Sequence, residues 1–352
     1  MPQPLDLLLG NSYFHTMVIT GPGCDIHLEN YGILIPIRES RHRKTLAYLL
    51  DLFGPGEWLE EIPSHPLDRE ALELVHDKSF LLRLLETHTR EELMLTYELR
   101  DPTTGEFNRY SPDKARLPLE DLLQRLLCQG YLTQETCRRA LKTGFEFFLG
   151  GGMHHALYDR GAGFCPFNDI IVAIRTLQKE KLIKTVWVVD VDAHKGDGTA
   201  ALTQGDPDIL TLSIHTAEGW PMDQAKFLPD GQPNPCHLPS TVDIEVGARE
   251  NETYLPRLLQ GLQTLAGIFI PDLAVVVCGA DPYEEDELPS ASGLKLTLGK
   301  MLQRDNLVYN FLQEKKIPQA YLMAGGYGEH VWKVYAQFLE EKIGEKYEKR
   351  HI

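Results

Sequence analysis

Four short runs of uninterrupted apolar and β-branched residues constrain this chain more than any other feature. They are "TVWVVDV" (185–191), "ILTLSI" (209–214), "LAVVVCG" (273–279) and "AYLMAGG" (320–326). They read as continuous rather than alternating runs, with Thr211 and Ser213 the polar positions of the second, and runs of this length read as strands covered on both faces, as in a parallel sheet. Helical periodicity fills the intervals. "NDIIVAIRTLQKEK" opens on Asn168, a capping residue type, and puts Ile170, Ile174 and Leu177 on one face. "NETYLPRLLQGLQTLAGIF" and "TLGKMLQRDNLVYNFLQEKK" repeat the pattern. The succession predicts an α/β fold, an open and mostly parallel sheet with helices on both sides.

The first 150 residues read as more helical, with "REALELVHDKSFLLRLLETH" and "LEDLLQRLLCQGYLTQETCRRALKTGFEFF" as the clearest segments. The stretch from Tyr97 to Pro118, rich in Pro, Gly, Asp and Arg, reads as a long loop of the kind that often binds ligands. There is no internal repeat and no low-complexity tract. A chain of 352 residues allows one or two domains, and with 43% hydrophobic residues it can fill a large core. One compact domain over residues 1–352 is the preferred parse.

A net charge of -16 argues against unaided binding to nucleic acid or to an anionic membrane surface, while it favours a cationic small substrate or a lysine-bearing peptide. The six cysteines include no C-x-x-C pair and read as free thiols of a reducing compartment. The N-terminus lacks a basic region and a small-residue cleavage site, and no apolar run approaches the roughly eighteen residues of a membrane span. These features read as a soluble, cytoplasmic protein.

Each apolar run ends in chemistry-bearing residues, and in open α/β sheets binding sites form where the strands end. In "VVDVDAHKGDGTAA" (188–201), strand alternation sends Asp190, Asp192 and His194 to one face. Two readings remain open for this stretch. It is a divalent-metal site, because buried charges survive when paired or metal-bound, or it is a solvated strand end with His194 hydrogen-bonded in a loop. The run at 209 ends in Ser213 and His215, the run at 273 in "GADPYEEDELP" and the run at 320 in "GGYGEH". Upstream, "GGGMHHALYDRGAGFCPFND" carries adjacent His154 and His155. Taken singly, Asp281, Tyr327 or the histidine pair has an ordinary loop explanation. Their joint appearance at strand ends supplies a third oxygen ligand, two acid/base imidazoles and a phenol.

In order and spacing, these blocks resemble the histone deacetylase family, which includes bacterial acetoin-utilisation-type and acetylpolyamine amidohydrolases. The resemblance runs from about Ile35 to Tyr327. It implies the arginase/deacetylase fold, a single domain around an eight-stranded, mostly parallel sheet. Position by position, it implies that Asp192, His194 and Asp281 ligate a catalytic zinc, with Fe(II) admitted by the same donor set. It pairs His154 with Asp190 and His155 with Asp197, makes His155 the general base and then acid, and makes Tyr327 the oxyanion donor. A structural potassium ion would use Asp190, Asp192, His194, Ser213 and Ile214. The substrate channel would use Gly163, Phe164, Trp220 and Leu288. Arg38 resembles an arginine lining an internal product channel, and a surface salt bridge explains it equally well.

Three departures bear on the substrate. Lys195 stands where a second histidine often follows the ligand, "AGGY" replaces a fuller glycine run, and Asp101 is the one candidate for an acidic rim residue. Leu288 occupies a position where an acidic residue would favour polyamines, although Glu284, Glu285, Asp286 and Glu287 crowd the same loop. The leading expectation is a zinc-dependent amidohydrolase acting on acylated lysine of a peptide or protein. An acetylpolyamine or other small-amide deacetylase is the second enzyme reading, and an acyl-lysine binding module is the non-enzymatic one. A two-manganese ureohydrolase of the same fold would need neither the histidine pair nor the tyrosine.

Overall fold

The computed structural model describes residues 16–21, 24–36, 40–63 and 65–348. The expectation for Arg38 therefore lies outside the described residues. Eight strands, β1 (Val18–Thr20), β2 (Leu59–Glu61), β3 (Phe145–Phe148), β4 (Val186–Asp190), β5 (Ile209–Thr216), β6 (Val242–Val246), β7 (Leu273–Val277) and β8 (Gln319–Leu322), form one sheet. Their order is β2-β1-β3-β8-β7-β4-β5-β6, and every neighbouring pair is parallel.

The helices are α1 (Ser40–Phe53), α2 (Arg69–Leu72), α3 (Lys78–Leu82), α4 (Thr89–Thr96), α5 (Asp121–Thr143), α6 (Asp169–Lys179), α7 (Asp197–Leu202), α8 (Tyr254–Ile268), α9 (Leu298–Glu314) and α10 (Trp332–Glu348). Strands β3, β4, β5, β7 and β8 are buried at every residue. This is the physical origin of their continuous apolar sequence. In α6, Asn168 Oδ1 accepts the Ile171 N–H at 3.0 Å, and Ile170, Ile174 and Leu177 are all buried.

Two segments depart from the sequence expectation. "REALELVHDKSFLLRLLETH" is not one helix. Asp77 stops and restarts it, accepting the Ser79 and Phe80 N–H groups at 2.9 and 3.0 Å as the cap of α3. Its neighbour His76 turns inward, Nδ1 donating to Leu157 O at 2.9 Å and Nε2 accepting the Asn168 N–H at 3.0 Å. The second departure is "FEFF", which is strand β3 and not the tail of α5. Gly144, with φ +87°, ends that helix in left-handed backbone and returns its N–H to Ala140 O. The aromatic run can then extend and pack, with Phe147 stacked on Tyr321 at 5.9 Å.

Residues 97–118 are irregular, pinned by short bridges between Arg100 and Phe107 and between Ile33 and Tyr110. All six cysteines are free thiols. Among the described residues, no helix is long and apolar enough to cross a membrane.

Candidate functional site

The carboxyl ends of β4, β5, β7 and β8 converge on a buried polar centre. Strand β4 ends at Asp190, earlier than the sequence pattern implied, so strand alternation does not aim Asp192 and His194. Side-chain turns do so instead. Asp190 Oδ1 accepts the Asp192 N–H at 3.1 Å, and Asp192 Oδ1 accepts the His194 N–H at 3.0 Å. These are the local bonds by which Asp bends a chain at a strand end. Asp281 arrives from the loop after β7, where its Oδ1 accepts the Ala193 N–H at 2.8 Å.

Asp192, His194 and Asp281 bring one ligand atom each to within 4.8 Å of one another, and all three are buried. His194 Nδ1 lies 2.9 Å from Asp281 Oδ2 and 3.3 Å from Asp192 Oδ1. Burial pulls the imidazole pKa down, but hydrogen bonds and charge from the two carboxylates push it up to about 10. Burial and the charge on Asp192 raise Asp281 to about 6. The cluster thus demands a positive charge at its centre. A divalent cation with mixed oxygen and nitrogen donors fits that demand. On the far side of the ring, His194 Nε2 meets Ser290 Oγ at 2.9 Å, a partner that fixes which nitrogen faces the carboxylates.

Two histidines flank the triad. His154 Nδ1 is 2.6 Å from Asp190 Oδ2, and His155 Nδ1 is 2.7 Å from Asp197 Oδ1. Their rings lie 3.9 Å apart, centroid to centroid. Their environments drive the two apart in acidity. Burial disfavours charge on both. For His154 the Asp190 and Asp192 carboxylates outweigh burial and raise it to about 9, whereas burial and the charge on His154 lower His155 to about 4. One ring is therefore held as a cation and the other as a neutral base. The loop carrying them is fixed by Asp169, which accepts the Gly152 and Met153 N–H groups at 3.1 and 2.7 Å. Gly198 lets the start of α7, with Asp197, pack directly on the His155 backbone, since a Cβ there would lie 2.4 Å from Ala156 O.

Tyr327 follows the β8 loop. Arg41 Nη1 donates to Ala324 O and Gly326 O at 2.6 and 3.2 Å, and the Tyr335 hydroxyl shares its proton between Gly325 O and Met323 O at 2.5 and 3.1 Å. This clamp leaves Gly325 N–H to donate to Asp192 Oδ2 at 3.0 Å. Asp286 holds the tyrosine itself, Oδ2 accepting the Tyr327 N–H at 2.7 Å while Oδ1 accepts the Leu288 N–H at 2.8 Å. Burial and the charges of Asp281 and Asp192 push the Tyr327 hydroxyl pKa well up, so it remains a proton donor.

Two cavities meet here. The outer one, about 230 Å³, is lined by Gly163, Phe164, Trp220 and Leu288 above His155, His194 and Tyr327. Trp220 packs edge-on to His155 at 4.6 Å and over Gly163, whose Cβ position would lie 2.4 Å from the indole. The inner one, about 110 Å³, shares His155, Gly163, Phe164 and Tyr327 and runs back to Arg41 and His42.

Sequence reasoning missed Arg41, Asp169 and Ser290 and read Asp286 only as one of the charges crowding its loop; all four act through backbone or a second ring nitrogen and belong to no distinctive residue pair. It also missed Arg304. That residue is buried in α9, and its Nη1 donates to Val191 O at 3.0 Å and Gly279 O at 2.7 Å, tying together the segments that carry Asp192 and Asp281. Asp101 does not reach either cavity. Its carboxylate is committed to the Thr103 and Thr104 N–H groups, both at 2.8 Å. Lys195 turns away from the triad to Asp243 at 3.0 Å. Ser213 pairs with Asp190 in the β4–β5 register, which brings it and Ile214 beside the Asp190–His194 turn.

Comparison with known proteins accords with this architecture. Histone deacetylase 2 of Arabidopsis thaliana is 31% identical over 202 residues, 57% of this chain and 49% of that protein. The acetoin utilization protein AcuC of Bacillus subtilis is 29% identical over 191 residues, 53% of this chain and 47% of that protein. The chain thus matches about half the length of these two relatives. The crystal structure of an HDAC homolog from Aquifex aeolicus superposes with a TM-score of 0.69 at 22% identity, covering 94% of this chain and 84% of that one. The sequence profile of the Histone deacetylase domain matches residues 35–341, a span that holds the buried triad, both histidines and Tyr327, and the chain belongs to that family.

Proposed function

We propose that this protein is a zinc-dependent amidohydrolase that removes acetyl or a related acyl group from an amine, with the acylated lysine side chain of a peptide or protein as the expected substrate. The observation that carries the reading is the convergence of the Asp192–His194–Asp281 triad with two carboxylate-paired histidines and a buried phenol, of which His194, His155 and Tyr327 line one apolar-walled cavity. A divalent ion held by the triad supplies Lewis acidity towards the amide carbonyl and towards water. Phe164 and Trp220 offer walls for an aliphatic stem. With Nδ1 taken by Asp197, His155 has Nε2 left to receive the proton of the attacking water. As the C–N bond breaks, the same nitrogen returns that proton to the departing amine. His154 acts as the charged electrostatic partner. The Tyr327 hydroxyl donates to the carbonyl oxygen as its charge develops, a contribution of about 3 to 4 kcal/mol in comparable sites.

The reading includes a potassium ion among Asp190, Asp192, His194, Ser213 and Ile214, supported by the adjacency of these residues at the β4–β5 strand ends. It also places the protein in the cytoplasm. Metal content and hydrolysis, measured on one preparation, test the whole. Turnover of acetyl-lysine peptides should be lost in Tyr327→Phe and Asp281→Ala, with metal lost only in Asp281→Ala. A metal-loaded wild type that binds acyl-lysine without hydrolysing it would replace this reading with the binding module.

A further inference from the structure

At its mouth, the outer cavity is lined by two charged side chains, Glu98 and Arg109, that the chemistry above does not use. Arg109 Nη2 donates to Glu98 Oε2 at 2.8 Å, and its guanidinium lies 5.6 Å from the Phe164 ring centroid. The side chains are 32% and 47% exposed, Arg109 first. Both residues sit in left-handed backbone, with φ +48° at Arg109 and +52° at Glu98, and Phe164 beside them has φ +67°.

Glu98 follows the C-cap of α4, where glycine avoids the Cβ penalty. Arg109 is anchored through its carbonyl, which accepts the Leu34 N–H at 2.8 Å, and Asn108 Nδ2 reaches back to Glu98 O at 3.0 Å. A part-exposed ion pair returns little stability. Two side-chain-bearing residues in left-handed backbone cost more than that. Local strain that stability does not offset is characteristic of functional positions.

We infer that Glu98 and Arg109 form a zwitterion-binding rim that selects Nε-acyl-lysine as a free amino acid, with its α-carboxylate on Arg109 and its α-ammonium on Glu98. The inference rests on the deacylase reading of the site below and replaces the peptide or protein of that reading with the free amino acid as the preferred substrate. The two side chains are each other's counter-ion. A ligand with a single charge strips one partner and leaves the other unpaired, whereas a ligand with both charges replaces both. A capped peptide replaces neither and must pass the intact pair. An acylated polyamine offers Glu98 a cation but sets it against Arg109. The planar guanidinium also suits a carboxylate, which it meets with parallel N–H donors. Reach agrees with this assignment, because Phe164 contacts both Arg109 and the Tyr327 ring, the latter at 6.2 Å. Phe164 thus forms one continuous wall from the rim to the phenol.

The test measures kcat/KM of the metal-loaded, full-length protein for four compounds. They are free Nε-acetyl-lysine, its Nα-acetyl carboxamide with both ends capped, its Nα-acetyl acid, and N-acetylputrescine. We expect the zwitterion to exceed the doubly capped compound tenfold or more in the wild type, chiefly through KM. Arg109→Gln and Glu98→Gln should bring that ratio to within twofold. The ratio is internal to each variant, so a general loss of folding or metal cancels. A capped compound or polyamine turned over as well as the zwitterion, or a ratio unchanged in both variants, overturns the rim assignment alone. Absence of turnover for all four compounds overturns the deacylase reading and the rim with it.

Discussion

Arg304 lines neither of the two cavities described, yet its removal should separate stability from metal binding. The guanidinium is fully buried and serves four acceptors: Val191 O, Gly279 O, Cys278 Sγ through Nη2 at 3.6 Å, and Asp305 Oδ1 through Nε at 2.8 Å. Arg304→Met leaves Asp305 as a buried carboxylate without its partner, a loss of about 3 to 5 kcal/mol. The stranded carbonyls add about 1 to 3 kcal/mol each at most, softened at Val191 O by the Tyr254 hydroxyl at 3.4 Å. Against a typical total stability of about 5 to 15 kcal/mol, the variant should be folded but fragile in urea titration with chelator present. Arg304→Met/Asp305→Leu removes the orphaned charge and should recover most of the loss, since apolar replacements of buried pairs are often neutral. Zinc affinity, measured by competition with a chromophoric chelator, should stay about 10- to 100-fold weak in both variants, because the segments that carry Asp192 and Asp281 lose their shared guanidinium and keep the Ala193 N–H bond to Asp281 between them. A single variant costing under about 1 kcal/mol, the level of an exposed pair, would refute the argument. So would a double variant with wild-type zinc affinity.

Two further outcomes follow from the geometry. His76 is locked neutral, because Nδ1 donates and Nε2 accepts, and burial lowers its pKa from 6.5 to about 4. The unfolded chain therefore takes up this proton first. The stability the residue confers above pH 6.5 is lost as pH falls towards 4, by up to about 3 kcal/mol. His76→Phe should flatten the Tm–pH profile across that window, and parallel profiles would exclude the effect. Asp286→Ala frees the Tyr327 and Leu288 backbones, and should lower kcat about 10- to 100-fold at unchanged metal content. An unaltered kcat would show that Tyr327 is held from elsewhere.

The legible part of the fold was its interior. The continuous runs at β4, β5, β7 and β8 announced a two-sided environment, and Asn168 announced the start of α6. Strands β1 and β2 are three residues each, too short to carry a period. Strand β3 hid behind α5 because Gly144 is a single-residue signal. The break at His76–Asp77 was written as a cap, but the surrounding apolar spacing masked it. At the site, residues that carry chemistry through their own side chains stood out at strand ends. Those that act by holding a carbonyl or an N–H, such as Arg41, Asp169, Asp286 and Arg304, look like ordinary polar residues until the backbone they hold is seen. The convergence of Asp192 and His194 was anticipated for an incomplete reason, since it depends on two side-chain turns beyond the last strand residue.

The two margins of the sheet have a consequence for the molecule in a crowded solution. Among the described residues, strands β2 and β6 have a neighbour on one side only, and an open margin of unpaired N–H and C=O groups is a template for another chain. Strand β2 is three residues long and carries Glu60, paired with Arg139, and Glu61, while in β6 Asp243, paired with Lys195, and Glu245 alternate with buried Ile244 and Val246. Any second copy attempting to add itself at the same margin would bring Glu61 or Glu245 towards its own duplicate, in a chain already at -16. The acidity that argues against nucleic acid thus also guards the sheet against growing into its neighbours.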